Sequence, residues 1–476
     1  MRPNPDRISR RVALLSFFLA AGACHGPDHT NNPDATDAPG TGTDGGGACG
    51  LGLDGLDPRR SSIVSELQVL EPTRADGPFA FAHVMEALAA SAGASAPSPQ
   101  ALFDQWLDTQ NLKPGLGRGP HCDDESDATG PTFHGFPIEC PRPEGALVGL
   151  SIGSPETFRP VGIIYRVDLA AADWSSCGEV RISYEHLETA RENGVQIIFE
   201  AAIPNPQPER GAAGCRPLLE FWAHLATDAL DASAVQARLK RLFFDGLATQ
   251  PPIPPVVRWQ HYAAGGGRIN ALLQLGNVAG AFKTFRTACE GPSCTLRIVP
   301  DGAIENPDPR LFQDADTSTR AVAFRAAFLT AVPQLAATNP NQIKLATPPE
   351  FDAPASVLTP REARVTRNDY LAQVDLAGPF AHAIAGAVPA GAGLTTTDVL
   401  NRATMASCAG CHDAQAPIGG GLEGFTTRPN KYLHIDGSIT EPGAYGNAFA
   451  LSVTLKQVIL PYRVTRLKAA LAAACP

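Results

Sequence analysis

Lysine is scarce, supplying only 7 of the 38 basic residues; methionine occurs three times and charged residues make up 18% of the chain. With a formal net charge of −10 and no basic tract, the chain lacks the clustered Lys and Arg that neutralise phosphates, which excludes nucleic acid as a partner. No apolar run reaches the roughly 18–20 residues that a bilayer-spanning helix needs. At 44% apolar the composition also excludes a disordered chain. No Lys-Ser or Lys-Thr follows Gly265-Gly266-Gly267, so that run is a flexible turn and not a phosphate loop. No internal repeat is visible, and 476 residues suggest two or three domains, each able to bury a core.

The first residues read as an export address. Arg2, Arg7, Arg10 and Arg11 form a positive region, Val12 to Ala23 an apolar stretch, and Ala21-Gly22-Ala23 precede Cys24. Residues 1–23 are therefore expected to be a signal peptide, and their loss would leave a net charge of −13. A cysteine after small residues resembles the lipobox of bacterial lipoproteins, which implies that Cys24 carries a lipid; cleavage nearby without lipidation is the alternative. Arg10-Arg11 after Ser9 loosely resembles a twin-arginine signal. Residues 24–48 hold no large apolar side chain and are expected to be a flexible tether, in which His25 and His29 are solvated.

Eleven cysteines in an exported chain point to disulfides. With Cys24, Cys408 and Cys411 set aside, local pairing suggests Cys289 with Cys294, Cys122 with Cys140 and Cys177 with Cys215. That leaves Cys49 for Cys475, joining the two ends of the folded body.

Residues 49–350 read as an α+β body. Helical patterns run over 78–92, 98–109, 217–226, 232–244 and 320–331; Val- and Ile-rich strands run over 146–152, 161–167, 180–184, 195–203 and 295–299. Candidates for chemistry in this body are weak. Gly149-Leu150-Ser151-Ile152-Gly153 fits a nucleophile elbow, but Pro155 and Pro160 crowd the place where its helix must begin, so Ser151 is expected to be a turn residue. His121, Cys122, Asp123, Asp124, Glu125 and His134 are expected to form a charged surface loop rather than a metal site. His224, near Phe221 and Trp222, reads as a packing histidine.

The segments Val167-Asp168-Leu169, Cys177-Gly178-Glu179-Val180-Arg181-Ile182, Ile198-Phe199-Glu200-Ala201, Pro204-Asn205-Pro206, Cys215-Arg216-Pro217 and Phe221-Trp222 resemble a group of bacterial exported lipoproteins without assigned activity. Members of that group often end in a cytochrome-c-like segment, so the resemblance implies this organisation and no activity for the body.

Chemistry concentrates in Cys408-Ala409-Gly410-Cys411-His412, the CxxCH pattern of covalent c-type haem attachment. Two thiols at i and i+3 can bond the two vinyl groups of one porphyrin, and the adjacent imidazole can bind the iron. Small Ala409 and Gly410 would let the ring approach the backbone. Chance places this pentad in well under about 1% of chains with such Cys and His content. Two alternatives stay open: a Cys408–Cys411 disulfide or redox dithiol, and a zinc site.

Upstream, Thr396 to Ser407 reads as a helix capped by Thr395 or Thr396, with Val399, Leu400 and Ala403 on one face. It resembles the helix that precedes the motif in small cytochromes c, and the Pro417, Leu422, Gly424 stretch resembles the loop that follows it there. The usual distal methionine is missing: none follows Met405, which lies on the proximal side, and Met85 falls in the body. His434 is the first candidate for the distal ligand, His382 the second and an open sixth position the third; a plain loop role for His434 is the equal alternative. With helices expected over 360–374, 396–407 and 450–474, residues 351–476 are expected to form an all-α cytochrome-c-like domain.

These observations lead to a lipid-anchored extracytoplasmic protein with one covalent haem c, transferring single electrons to redox partners the sequence does not identify. A surface interaction or structural lipoprotein is the alternative, and a haem peroxidase the third.

Overall fold

A computed structural model describes residues 53, 55–94, 96–111, 125–128, 130–133, 136–137, 150–154, 158–186, 195–275, 278–291, 294–302, 306–353, 355–357, 367–412, 422 and 435–475. The signal, Cys24 and the tether lie outside them, as do Cys49, Cys122, Cys140, His121, His134 and His434.

The frame is a sheet of eight strands in which every neighbouring pair is antiparallel. The chain enters it through α1 (Pro58–Ser61), β1 (Ile63–Val64), α2 (Leu67–Leu70), α3 (Phe81–Ala90) and α4 (Pro99–Asn111). A small separate sheet of β2 (Glu125–Asp127), β3 (Gly130–Phe133) and β4 (Phe136–Pro137) follows. Then come β5 (Arg159–Arg166), β6 (Ser176–Glu185), β7 (Val195–Pro204), α5 (Ala212–Thr227), α6 (Ala232–Phe244), β8 (Arg268–Leu275), β9 (Val278–Glu290) and β10 (Thr295–Asp301). The strand order is β1-β5-β6-β7-β8-β9-β10. The remaining elements are α7 (Thr319–Leu335), β11 (Ala355–Val357), α8 (Pro379–Ala387), α9 (Thr396–Ala406), α10 (Cys408–His412), β12 (Ile435–Gly443), β13 (Gly446–Leu451) and α11 (Leu460–Ala474). β11 lies beside β9, with Val357 opposite Ala281.

Period-two alternation gives the sheet two unlike faces. Tyr165, Val180, Ile182, Tyr184, Phe199, Ala201, Ile269 and Phe285 point to one side and form the main core with α3 to α6. Aromatic side chains from helices and strands interlock there: Phe81 meets Tyr184 edge-on at 5.3 Å, Trp106 meets Phe285 at 5.5 Å, and Trp222 stacks on Tyr165 at 5.1 Å. The Cys177–Cys215 disulfide pins α5 to β6, and Cys289–Cys294 closes the β9–β10 turn, both as expected from local pairing. Cys475 is also disulfide-bonded.

The expectation of an all-α C-terminal domain is overturned. Residues 351–476 contain β11, which extends the large sheet, and the β12–β13 hairpin, so helices do not account for the region. The hairpin was missed because its strand β12 carries Gly437, Pro442 and Gly443 and shows no clean alternation; Gly446, at φ +100°, makes the turn that only glycine adopts without strain. Over 450–474 the helix is a single long one, α11, preceded by a π-helical turn at Leu455–Ile459. Pro461 lies just after that π turn within a continuous helical run, so the helix passes through it instead of breaking there. Residues 370–373 form only a short 3-10 turn. Leu467, Ala470, Leu471 and Ala474 of α11 join the main core against α5. In the body, β8 and β9 went unrecognised in sequence because Asn270, Lys283, Thr284 and Thr287 interrupt their apolar pattern; all four are buried.

Candidate functional site

The second face of the sheet is polar and nevertheless buried. Arg166, Arg181, Ser183, Glu185, Glu200, Arg268, Asn270, Thr284 and Ser356 all belong to it. C-terminal elements cover it: Cys408 of α10 packs on Phe282 of β9, Ile435 of β12 crosses Gly162, and Arg463 of α11 reaches Asp168. Isolated buried charges would be costly, so the arginines are paired, some across strands and some two residues along the chain. Arg181 meets Glu179 at 2.5 Å and Glu200 at 2.8 Å, while Arg268 holds the other oxygen of Glu200 at 2.6 Å. Arg166 grips Asp168 through Nε and a terminal nitrogen at 2.7–3.0 Å. Burial alone would raise the Asp168 pKa, but the Arg166 and Arg463 guanidinium groups hold it well below the usual carboxylate range.

The CxxCH segment is positioned by α9 and by one serine. Thr395 caps α9 with a reciprocal box: its Oγ1 accepts from the Asp398 N–H at 3.2 Å, and Asp398 accepts from the Thr395 N–H at 3.0 Å. Val399, Leu400 and Ala403 are buried, as their spacing predicts. Ser407 then turns to extended backbone (ψ 157°) and ends the helix. Its hydroxyl donates to the Thr404 carbonyl at 2.7 Å and accepts from the Gly410 N–H at 3.2 Å, while its carbonyl accepts from Cys411 N–H at 2.9 Å. Ser407 therefore starts the single turn Cys408–His412. Sequence reasoning missed this role, although a serine before a short helical segment is the usual signal.

Both cysteines of that turn are buried thiols, Cys408 at 6% and Cys411 at 1% exposure. Cys411 joins a second core with Phe312, Phe324, Phe328, Tyr370 and Met405. Nearby, Tyr370 stacks on Phe312 at 4.3 Å and donates its hydroxyl to Pro307 O at 3.2 Å; burial pushes its phenol well above the ordinary value. Gly410 is explained by packing within the chain: a Cβ there would overlap the Thr404 carbonyl oxygen. Gly410 thus has a packing reason of its own, independent of any porphyrin.

The donor chemistry suits a covalent haem, with two thiols one helical turn apart and His412 on the same turn. The same pair could instead be oxidised to a disulfide. Among the described residues, no group of three or more His, Cys, Asp or Glu side chains could hold a metal ion. His382 is exposed on α8, which packs against α7 and α9; its Nδ1 donates to Gly378 O at 2.8 Å, leaving Nε2 as the acceptor nitrogen.

Elsewhere, Ser151 is an exposed turn residue whose hydroxyl accepts from Gly153 N–H at 3.3 Å. His224 departs from the packing role read in the sequence: its side chain is 43% exposed and its Nδ1 lies 3.1 Å from Asp228. It lines a surface cleft of about 360 Å³ with Phe221, Arg238, Arg241 and Leu247. Among the described residues, no helix is long and apolar enough to cross a membrane. No family model matches the chain, and neither does any curated protein or solved structure.

Proposed function

We propose that this chain is an exported, lipid-anchored c-type haem protein whose task is one-electron transfer. Cys408 and Cys411 hold the porphyrin as thioethers, His412 binds the iron from the proximal side, and His434 or His382 supplies the distal imidazole. The observation that carries this reading is the pair of buried thiols on one turn, started by Ser407 and followed directly by His412. The haem supplies the one-electron couple; the chain supplies burial, axial ligation and a docking surface. Two imidazoles favour a lower reduction potential than a His/Met pair. Cys24 provides the membrane anchor. An acidic, lysine-poor chain suits redox partners that do not require a basic rim around the haem.

A second reading, a structural or interaction lipoprotein with no haem, draws support from the close packing of the same turn: Cys411 sits in a core and Gly410 fits against Thr404 without a ligand. Absorption spectra and peptide masses separate the readings, using full-length protein made in a host that matures c-type cytochromes. A sharp reduced α band, with the mass of haem on the peptide spanning Cys408–His412, is the expected outcome. Unmodified or mutually oxidised sulfurs would overturn it in favour of the structural reading. A high-spin spectrum that reacts with peroxide would replace electron transfer by peroxidase chemistry.

A further inference from the structure

The surface cleft at α5 and α6 brings together charged side chains that the CxxCH turn does not use. The two helices follow one another across a short link that is tied at both ends. Asp228 N–H donates to His224 O at 3.0 Å, and the Asp231 carboxylate accepts from Ala234 N–H at 2.8 Å. Helical spacing places Phe221, His224 and Asp228 along one side of α5 and its cap, and Arg238 with Arg241 along one side of α6. These five line the cleft together with Leu247. Its volume of about 360 Å³ lies at the small end of ligand pockets, which run from roughly 300 to 1,000 Å³.

The charges in the cleft do not balance. Asp228, its one carboxylate, is committed to Arg238 at 2.7 Å and to His224 Nδ1 at 3.1 Å. Burial would raise the Asp228 pKa, but those two hydrogen bonds hold it below the ordinary carboxylate value, so the group is an anion at neutral pH. Arg241 is exposed, and among the described residues its side chain has neither an ion pair nor a hydrogen bond; Asp245, one turn further on, does not pair with it. Two guanidinium groups therefore face one carboxylate, and the surplus positive charge sits on Arg241. A guanidinium offers donors and no acceptor, in a planar fork that matches the two oxygens of a carboxylate. The rest of the lining is apolar and fixed. Phe221 is half-buried, edge-on to Trp222 at 5.8 Å, and Leu247 is held by backbone hydrogen bonds to and from Ile253 at 2.8 and 3.0 Å.

We propose that this cleft binds a small monocarboxylate with an apolar body. Arg241 takes the carboxylate, Phe221 and Leu247 take the body, and the Arg238–Asp228–His224 chain sets the charged wall before the ligand arrives, so little ordering cost falls on binding. A single surplus charge suits a monoanion. The site is independent of the haem reading: it uses none of Cys408, Cys411 or His412, and each assignment stands or falls without the other.

The test is calorimetric titration of the full chain at neutral pH and fixed ionic strength with four probes: benzoate, benzamide, acetate and inorganic phosphate. Benzamide keeps the shape of benzoate without its charge, and acetate keeps the charge without the ring. Benzoate is expected to bind in a single site and more tightly than each of the other three. Arg241→Gln should weaken benzoate by about tenfold or more, as expected when a hydrogen-bonded charge is lost, and leave benzamide unchanged. Arg241 is exposed, so the urea midpoint of that variant should equal that of wild type, which separates lost binding from lost folding. Arg216→Gln, whose guanidinium pairs with Glu220 outside the cleft, should bind benzoate as wild type does. Benzoate that binds no better than benzamide, or equally well to Arg241→Gln, would overturn the role of Arg241. Acetate as tight as benzoate would remove the apolar walls from the site, and phosphate tighter than benzoate would replace the carboxylate class by a general anion patch; either result overturns the proposal. So would the absence of benzoate binding at millimolar concentrations.

Discussion

Replacing Gly410 with alanine sets two effects against each other at the centre of the candidate site. Helix propensity alone favours alanine over glycine by about 1 kcal/mol in a helix interior, and by less in a single turn such as α10. The new methyl would overlap the Thr404 carbonyl oxygen and stand 3.0 Å from the Ser407 hydroxyl. Neither neighbour yields easily: the carbonyl accepts from the Ser407 N–H and hydroxyl, and that hydroxyl accepts from the Gly410 N–H. Overpacking of this kind costs about 1–3 kcal/mol, and lifting α10 away from α9 also disturbs Cys408 on Phe282. The overlap should win, with a net loss of about 1–2 kcal/mol. Urea unfolding of the haem-free chain measures this as a lower midpoint with an unchanged slope. A variant as stable as wild type, or more so, would refute the packing argument and return Gly410 to a role in admitting the porphyrin.

Two further outcomes concern stability. His261 is buried, and its Nδ1 donates to Val256 O at 3.0 Å; burial pushes its pKa down to about 4. The unfolded chain takes up this proton near pH 6.5 and the fold excludes it until about pH 4. Stability from this group is therefore complete above pH 6.5 and falls by about 3 kcal/mol between those values. His261→Gln should flatten the stability–pH slope in that window by close to one proton, and an unchanged slope would show that the imidazole titrates normally in the fold. Cys177–Cys215 closes a loop with a sequence separation of 38, which corresponds to about 4 kcal/mol of chain entropy. The double alanine variant should lose stability on that scale in chemical denaturation, and a loss below about 1 kcal/mol would mean that the unfolded chain is already constrained there.

Local patterns were enough to read much of this protein from its residues. Asp231 caps a helix that runs Ala232–Phe244, and Thr395 with Asp398 opens α9, because caps act within three residues. The strands β5, β6, β7 and β10 showed in runs of Val and Ile, and both observed disulfides with described partners followed from cysteine spacing. The CxxCH pattern was equally local, since it occupies only five consecutive residues.

The rest depends on chain that is distant in sequence. Arg166, Arg181, Glu200 and Arg268 alternate with apolar neighbours, a local pattern that suits a solvated sheet face as well as a buried one; the arrival of α10, the hairpin and α11 buries them. Pro461 is a residue that ordinarily interrupts a helix, yet the helical run passes through it and α11 completes the main core. Period and spacing determine which side of an element a residue occupies, so the amino-acid sequence alone decided the elements and the thiol pair. What lies against that side is set by packing across hundreds of residues, so only the tertiary structure decided that Arg166, Arg181, Glu200 and Arg268 would stand buried beneath C-terminal elements.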